Sequence, residues 1–320
     1  MPIYDLYGQK VRCNVRLAGA PSDAGGTADL DLRVLNAKDR TPRSPQEGKV
    51  VAGRDDDKHA VVIVEDGGGY VLHVRGLADF RFSRDLRTGT CHPLPGVTPE
   101  HIRELMTTVV SAWLVLSGTA VFHGSAVAAV PGFSESFALA FLGPSLAGKS
   151  TWASLLCTLG ARLITDDALA VTTVAGLPAL AGGCDEVRLR QPPLSLPSSE
   201  SAKDASGRPT VDGRLAVALP RWQNFPVPFL GLVFLDSVHK GTDLSLEHLG
   251  ESAAVLRLAA SHRLASWKLR SAQTLHFCRA IELAESVPSF VLHVPRDQGV
   301  HIEHAQEFLH QLGSMALASS

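Results

Sequence analysis

The string Gly143-Pro-Ser-Leu-Ala-Gly148-Lys149-Ser150 completes the pattern G-x-x-x-x-G-K-[ST]. It follows the apolar run 137–142 and precedes a helix-forming stretch at 149–159, which predicts a strand, a tight loop and a helix in that order. A loop of this kind turns its backbone N–H groups inward at the positive end of the helix, where a phosphate is held. The candidate nucleotide site is therefore Gly143, Pro144, Ser145, Leu146, Ala147 and Gly148, with Lys149, Ser150 and Thr151 opening the helix. Lys149 is expected on the β and γ phosphates of ATP, and the Ser150 hydroxyl on Mg2+.

Downstream, Asp166 and Asp167 close the segment 161–165, read as a strand emerging beside the loop. Paired carboxylates suit a Mg2+ ligand next to a general base, because two like charges near one cation can hold different protonation states. Asp236, closing the apolar run 228–235, is the rival acidic partner. His123 stands just before a strand; by spacing alone such a histidine is more often structural or solvated than functional.

The surroundings of the loop divide the 320 residues in two. Alternating segments at 4–17, 30–35, 60–64, 70–74 and 78–82 predict a β-rich unit over 1–97, with 61–74 as its clearest hairpin. The loops at 18–26 and 39–57 are expected to be mobile. Thr98, as a helix N-cap before Pro99, opens a helix to about Ser117. From there, apolar strands at 120–130, 137–142, 161–165 and 229–235 and helices at 149–159, 251–260, 275–286 and 302–312 predict an α/β unit over 98–320. The Pro-, Ser- and Gly-rich segment 191–213 reads as a long loop, either a surface insertion or a lid.

Composition limits the partners. With 30 Lys and Arg against 32 Asp and Glu, net charge recruits neither nucleic acid nor an anionic membrane. The five cysteines are scattered without a C-x-x-C pair, which fits reduced thiols and a cytoplasmic location. No apolar run is long enough to span a bilayer. His301, His304 and His310 read as an exposed helix face, and Asp55-Asp-Asp57 as a solvated loop. Arg75, Arg81, Arg84 and Arg87 read as the exposed basic edge of a strand, and Trp222 as core or loop packing.

His123-Gly-Ser-Ala-Val, Gly143 to Ser150, Gly160-Ala-Arg-Leu-Ile-Thr-Asp166-Asp167 and Glu186-Val-Arg188 together resemble the catalytic domain of HPr serine kinases and their relatives. That domain has a P-loop related to the one in phosphoenolpyruvate carboxykinase. The resemblance covers about 119–190. The 287–298 tail and the β-rich N-terminal part are similar to HPr-kinase-like proteins found near peptide-modification enzymes, and the layout is nearest to lasso-peptide precursor kinases.

This resemblance implies a P-loop serine kinase using ATP and Mg2+, preceded by a β-rich domain that recognises or presents substrate. The substrate implied is a serine-containing peptide or protein, such as a ribosomally made peptide precursor. A small-molecule kinase and a nucleotide-binding regulator without transfer activity are the alternatives, and a homo-oligomer stays open. Residue by residue, the resemblance puts His123 near the transferred phosphoryl group and Lys149 on the phosphates. Ser150, Asp167 and Glu186 would face Mg2+, and Arg188 or Arg214 the phosphate or substrate; which of Asp166 and Asp167 is the base stays open. Two departures stand out: Leu146 occupies a position where HPr kinases have Gly, and their G-R-N signature is missing. Neither the phosphorylase activity linked to that signature nor HPr as substrate is therefore expected.

Overall fold

Alternation builds the first sheet. In Ala78–Ser83 the side chains of Ala78, Phe80 and Phe82 turn into the core while Asp79, Arg81 and Ser83 stay at the half-buried face. The computed structural model describes residues 1–22, 26–36, 48–53, 61–190, 207–236, 243–264, 266–294 and 299–318. Its first nine strands are β1 (Ile3–Leu6), β2 (Gln9–Cys13), β3 (Ala20–Pro21), β4 (Leu30–Val34), β5 (Lys49–Ala52), β6 (Val61–Glu65), β7 (Gly69–Val74), β8 (Ala78–Ser83) and β9 (Thr88–Pro93). They form one sheet in the order β3-β1-β2-β4-β9-β8-β7-β6-β5. The hairpin expected at 61–74 is the antiparallel β6–β7 pair, with Glu65 opposite Tyr70.

Helix α1 (Pro99–Leu116) opens on Thr98 in a reciprocal cap: Thr98 Oγ1 accepts from the His101 N–H, and His101 Nδ1 accepts from the Thr98 N–H. Histidine here fills the place Glu or Gln usually takes. Ile102, Met106, Val109 and Trp113 recur at helical spacing and join the core of the first sheet.

At its centre the second sheet is buried on both faces, so Gly124–Ala128 and Ala138–Leu142 are buried at every position rather than alternating. Its members are β10 (Val121–Phe122), β11 (Gly124–Ala128), β12 (Ala138–Leu142), β13 (Arg162–Thr165), β14 (Leu169–Val174) and β15 (Leu177–Leu180). Three more, β19 (Val227–Asp236), β20 (Ser245–His248) and β21 (Ser289–His293), extend it. The order is β10-β14-β15-β19-β12-β11-β13, with β21 also on β19 and β20 on β21. Leu139 and Phe141 of β12 pack with α2 (Lys149–Thr158) and α5 (Ile302–Ala318) through Trp152 and Phe308. Ala138, Ala140 and Leu142 face the other way, toward α3 (Glu251–Ala260) and α4 (Arg270–Ser286). A small third sheet joins β16 (Glu186–Leu189), β18 (Leu215–Ala218) and β17 (Arg208–Pro209). The chain is thus a mixed α/β protein.

Several expectations change. The run 120–130 is two strands broken at His123: β10 pairs with β14, whereas β11 pairs with β12 and β13. Gly124 makes the crossing because a Cβ there would lie 2.7 Å from Phe141 O. The presumed mobile loops contain β3 and β5, each hydrogen-bonded into the first sheet. The end of the 191–213 loop is also ordered, since Arg208–Pro209 pairs with β18; 191–206, Asp55 to Asp57 and Arg296 lie outside the described residues. Arg81 sits on an interior strand, not on an edge. Among the described residues no helix is long and apolar enough to cross a membrane, and the five cysteines are free.

Candidate functional site

The loop after β12 follows a path that glycine makes possible at its two ends. Gly143 has φ +147°, and a Cβ there would come within 3.1 Å of Leu235 O and 3.2 Å of the Ala147 Cβ. Gly148, at φ +96°, is the N-cap of α2 and provides no side-chain cap, so no side chain claims the first-turn amides. Leu146, between them, also lies in the left-handed region at φ +71°, and its side chain is 74% exposed. The departure from Gly is therefore absorbed without changing the backbone class, at a cost of roughly 1–2 kcal/mol of steric strain.

Lys149 folds back over this loop, donating to Gly143 O at 3.0 Å and Pro144 O at 2.8 Å. Burial lowers its pKa, while Asp167 and Asp166 pull the other way.

The two aspartates at the end of β13 have different surroundings. Asp166 is buried; its Oδ1 accepts from Ser125 Oγ at 2.5 Å and from Ser150 Oγ at 2.7 Å, and its Oδ2 from the Arg188 N–H at 3.1 Å. Asp167 follows with a left-handed backbone, φ +73°, among a different set of partners. There its carboxylate meets Arg263 Nη2 at 2.6 Å, His123 Nδ1 at 3.3 Å and Arg188 Nη2 at 3.8 Å. Burial works to raise the Asp167 pKa, but Arg263, His123 and Arg188 outweigh it and hold the group far below the usual carboxylate range.

The structure brings His123, Lys149, Ser150, Asp166, Asp167 and Arg188 together. Glu186 lines the same cleft, with both oxygens engaged by guanidinium groups, Arg103 Nη2 at 2.8 Å and Arg208 Nη2 at 3.2 Å. Through these two arginines it links α1 to the third sheet. Arg214 pairs with Asp212, both partly exposed, and Asp167 and Asp166 also act on its charge. Asp236 closes β19, the strand paired with β12, and pairs with His293 at 3.6 Å. Arg263, Ser125 and Arg103 were not expected in the site. Arg263 arrives from 96 positions beyond Asp167, and no local pattern announces it.

The first sheet also reaches this region. Tyr7, in the β1–β2 turn, donates its backbone N–H to Gly182 O and lays its ring against Gly183, where a Cβ would come within 2.6 Å of Tyr7 Cε1. Burial pushes its hydroxyl pKa far up, with Cys184 and Asp167 adding to the shift.

The donor set suits Mg2+: a hydroxyl and carboxylates are hard oxygen ligands. Among the described residues no group of three or more His, Cys, Asp or Glu is arranged to hold a metal alone. No protein-family model matches the chain, and no curated protein matches it.

Proposed function

We propose that the chain is a P-loop kinase resembling the HPr serine kinases, which uses Mg2+ and ATP to phosphorylate a serine hydroxyl in a peptide or protein. One observation carries the reading: Lys149 and Ser150 open a helix at a glycine-rich loop, and Ser150 is hydrogen-bonded to the first of two aspartates with opposite surroundings. A purely structural pair would not need a buried lysine, a buried carboxylate and an ion-paired carboxylate around one uncapped helix start.

In this reading the loop amides and Lys149 hold the β and γ phosphates, releasing the carbonyls that Lys149 now contacts. Mg2+, when bound, neutralises charge on the phosphate oxygens. Ser150 and Asp166 would face it. Asp167 orients the acceptor hydroxyl and takes its proton late, which suits a loose transition state and a carboxylate of low basicity. Arg188, between both aspartates, offers positive charge to the transferred group, and His123 fixes the Asp167 carboxylate.

The test is mass spectrometry of serine peptides and small hydroxyl compounds incubated with the protein, Mg2+ and ATP, beside Lys149→Ala. A phosphoryl group gained by a serine peptide and lost in the variant supports the reading. ATP consumption with only a small molecule modified moves the acceptor class, and nucleotide binding without any transfer replaces the kinase by a regulator.

A further inference from the structure

Ser125 is fully buried on β11, in a stretch of five buried residues, Gly124–Ala128. A buried hydroxyl needs a partner. The buried helix residues Ser111 and Ser154 find one locally, in the carbonyls of Thr107 and Ser150 one turn earlier. Ser125 instead reaches across to the neighbouring strand and donates to Asp166 Oδ1 at 2.5 Å. The β11–β13 ladder shifts register between Ala126 and Val127, directly beside it. Irregularities of this kind re-aim side chains and are frequent next to active sites.

We propose that Ser125 is a positioning residue for the divalent-cation side of the site, acting through Asp166 on Ser150. The inference rests on the kinase reading above. A carboxylate offers about four acceptor positions. The hydroxyls of Ser125 and Ser150 take both positions on Oδ1, and the Arg188 N–H takes one on Oδ2, so the carboxylate cannot rotate without losing a bond. Ser150 thereby gives its hydrogen to one fixed acceptor, and its oxygen lone pairs point away from Asp166, free for a cation. Without Ser125, one acceptor position on Oδ1 is empty, the carboxylate is freer to rotate, and the Ser150 hydroxyl loses its single orientation.

The experiment compares Ser125→Ala and the volume-matched Ser125→Cys with the wild-type chain in two binding assays without turnover. One measures ADP affinity in EDTA; the other measures Mn2+ affinity in the presence of ADP by the resonance signal of free Mn2+. Removal of a residue that orients a metal ligand typically weakens metal affinity 10- to 100-fold. We expect Ser125→Ala to weaken Mn2+ binding about 10-fold, leaving metal-free ADP affinity unchanged, with Ser125→Cys between the two. Unchanged Mn2+ affinity in Ser125→Ala, or in Ser125→Cys if the alanine variant does not fold, overturns this inference alone. An equal loss in both assays assigns Ser125 to structure and also overturns it. A wild-type chain that binds neither ADP nor Mn2+ with ADP overturns the kinase reading itself.

Discussion

The two nine-stranded sheets bury their polar groups by different rules. In the first, β8 alternates, and charges such as Arg12 and Asp31 pair at the surface with 32% and 41% of their side chains exposed. In the second, β11 and β12 are buried at every position, and polar groups are enclosed with them. Among the described residues the enclosed polar and charged side chains, the Tyr7 hydroxyl apart, lie beyond the first sheet, with Ser125, Lys149, Thr165 and Asp166 gathered at one end of β11–β13. The first sheet can be polar cheaply because water completes its hydrogen bonds. The second can be polar only where partners are built in, as Ser125, Ser150 and the Arg188 N–H are for Asp166.

The sharpest way to break this contrast is Lys149→Ala. Transfer should fall by about a thousandfold, since one preorganised charge at a developing anion is worth that much, while far-ultraviolet circular dichroism stays native. Retained transfer would remove the phosphate role from the loop. Next come two ion pairs, one from each sheet. Arg263→Ala removes the nearest of the cations around partly buried Asp167 and should lower urea stability by about 3 kcal/mol; Arg12→Ala should cost less than about 1 kcal/mol. Equal losses would erase the distinction.

Acidity provides a third probe. His276 stacks on His262 with ring centroids 3.6 Å apart, and burial, then His262, lowers its pKa to about 4. Unfolded histidine titrates near about 6.5, so between these values the unfolded chain binds the extra proton. The stability tied to neutral His276 is therefore complete above about pH 6.5 and is lost as the pH falls toward 4, by about 2 kcal/mol at pH 5. His276→Gln should flatten the fall in melting temperature between pH 7 and 5. Last, Leu146→Gly removes a left-handed leucine but frees the unfolded backbone; the balance should be a gain of no more than about 1 kcal/mol, read by thermal melting. A loss would mean that the leucine side chain is packed in solution.

Legibility followed the range of the interactions. The phosphate-binding string is contiguous, and Thr98 and Ser117 bound α1 as cap chemistry dictates, so both were readable directly. The β14–β15 hairpin was missed because its two-residue turn is Ala175-Gly176, with Ala at φ +48° where Asn or Asp would have announced it. The break at His123 was hidden because an all-buried run carries no period to show where partners change. Asp166 and Asp167 stood out as a pair, but their opposite environments depend on Ser125, Arg188 and Arg263, which only the folded chain assembles. Glu186 was visible in its string, yet its partner Arg103 lies on a helix 83 positions earlier.

The β1–β2 turn sets a limit on modularity. Tyr7 is wedged against Gly183, and Gly8 approaches Ala181, just behind the strand that ends in the aspartates. Deleting the first sheet to isolate the second would leave a ring-sized hole there. Grafting a foreign recognition module in its place would have to reproduce that tyrosine-glycine wedge. The first sheet therefore behaves as a fitted stopper in the rest of the chain, and the two would be expected to diversify together rather than be exchanged as cassettes.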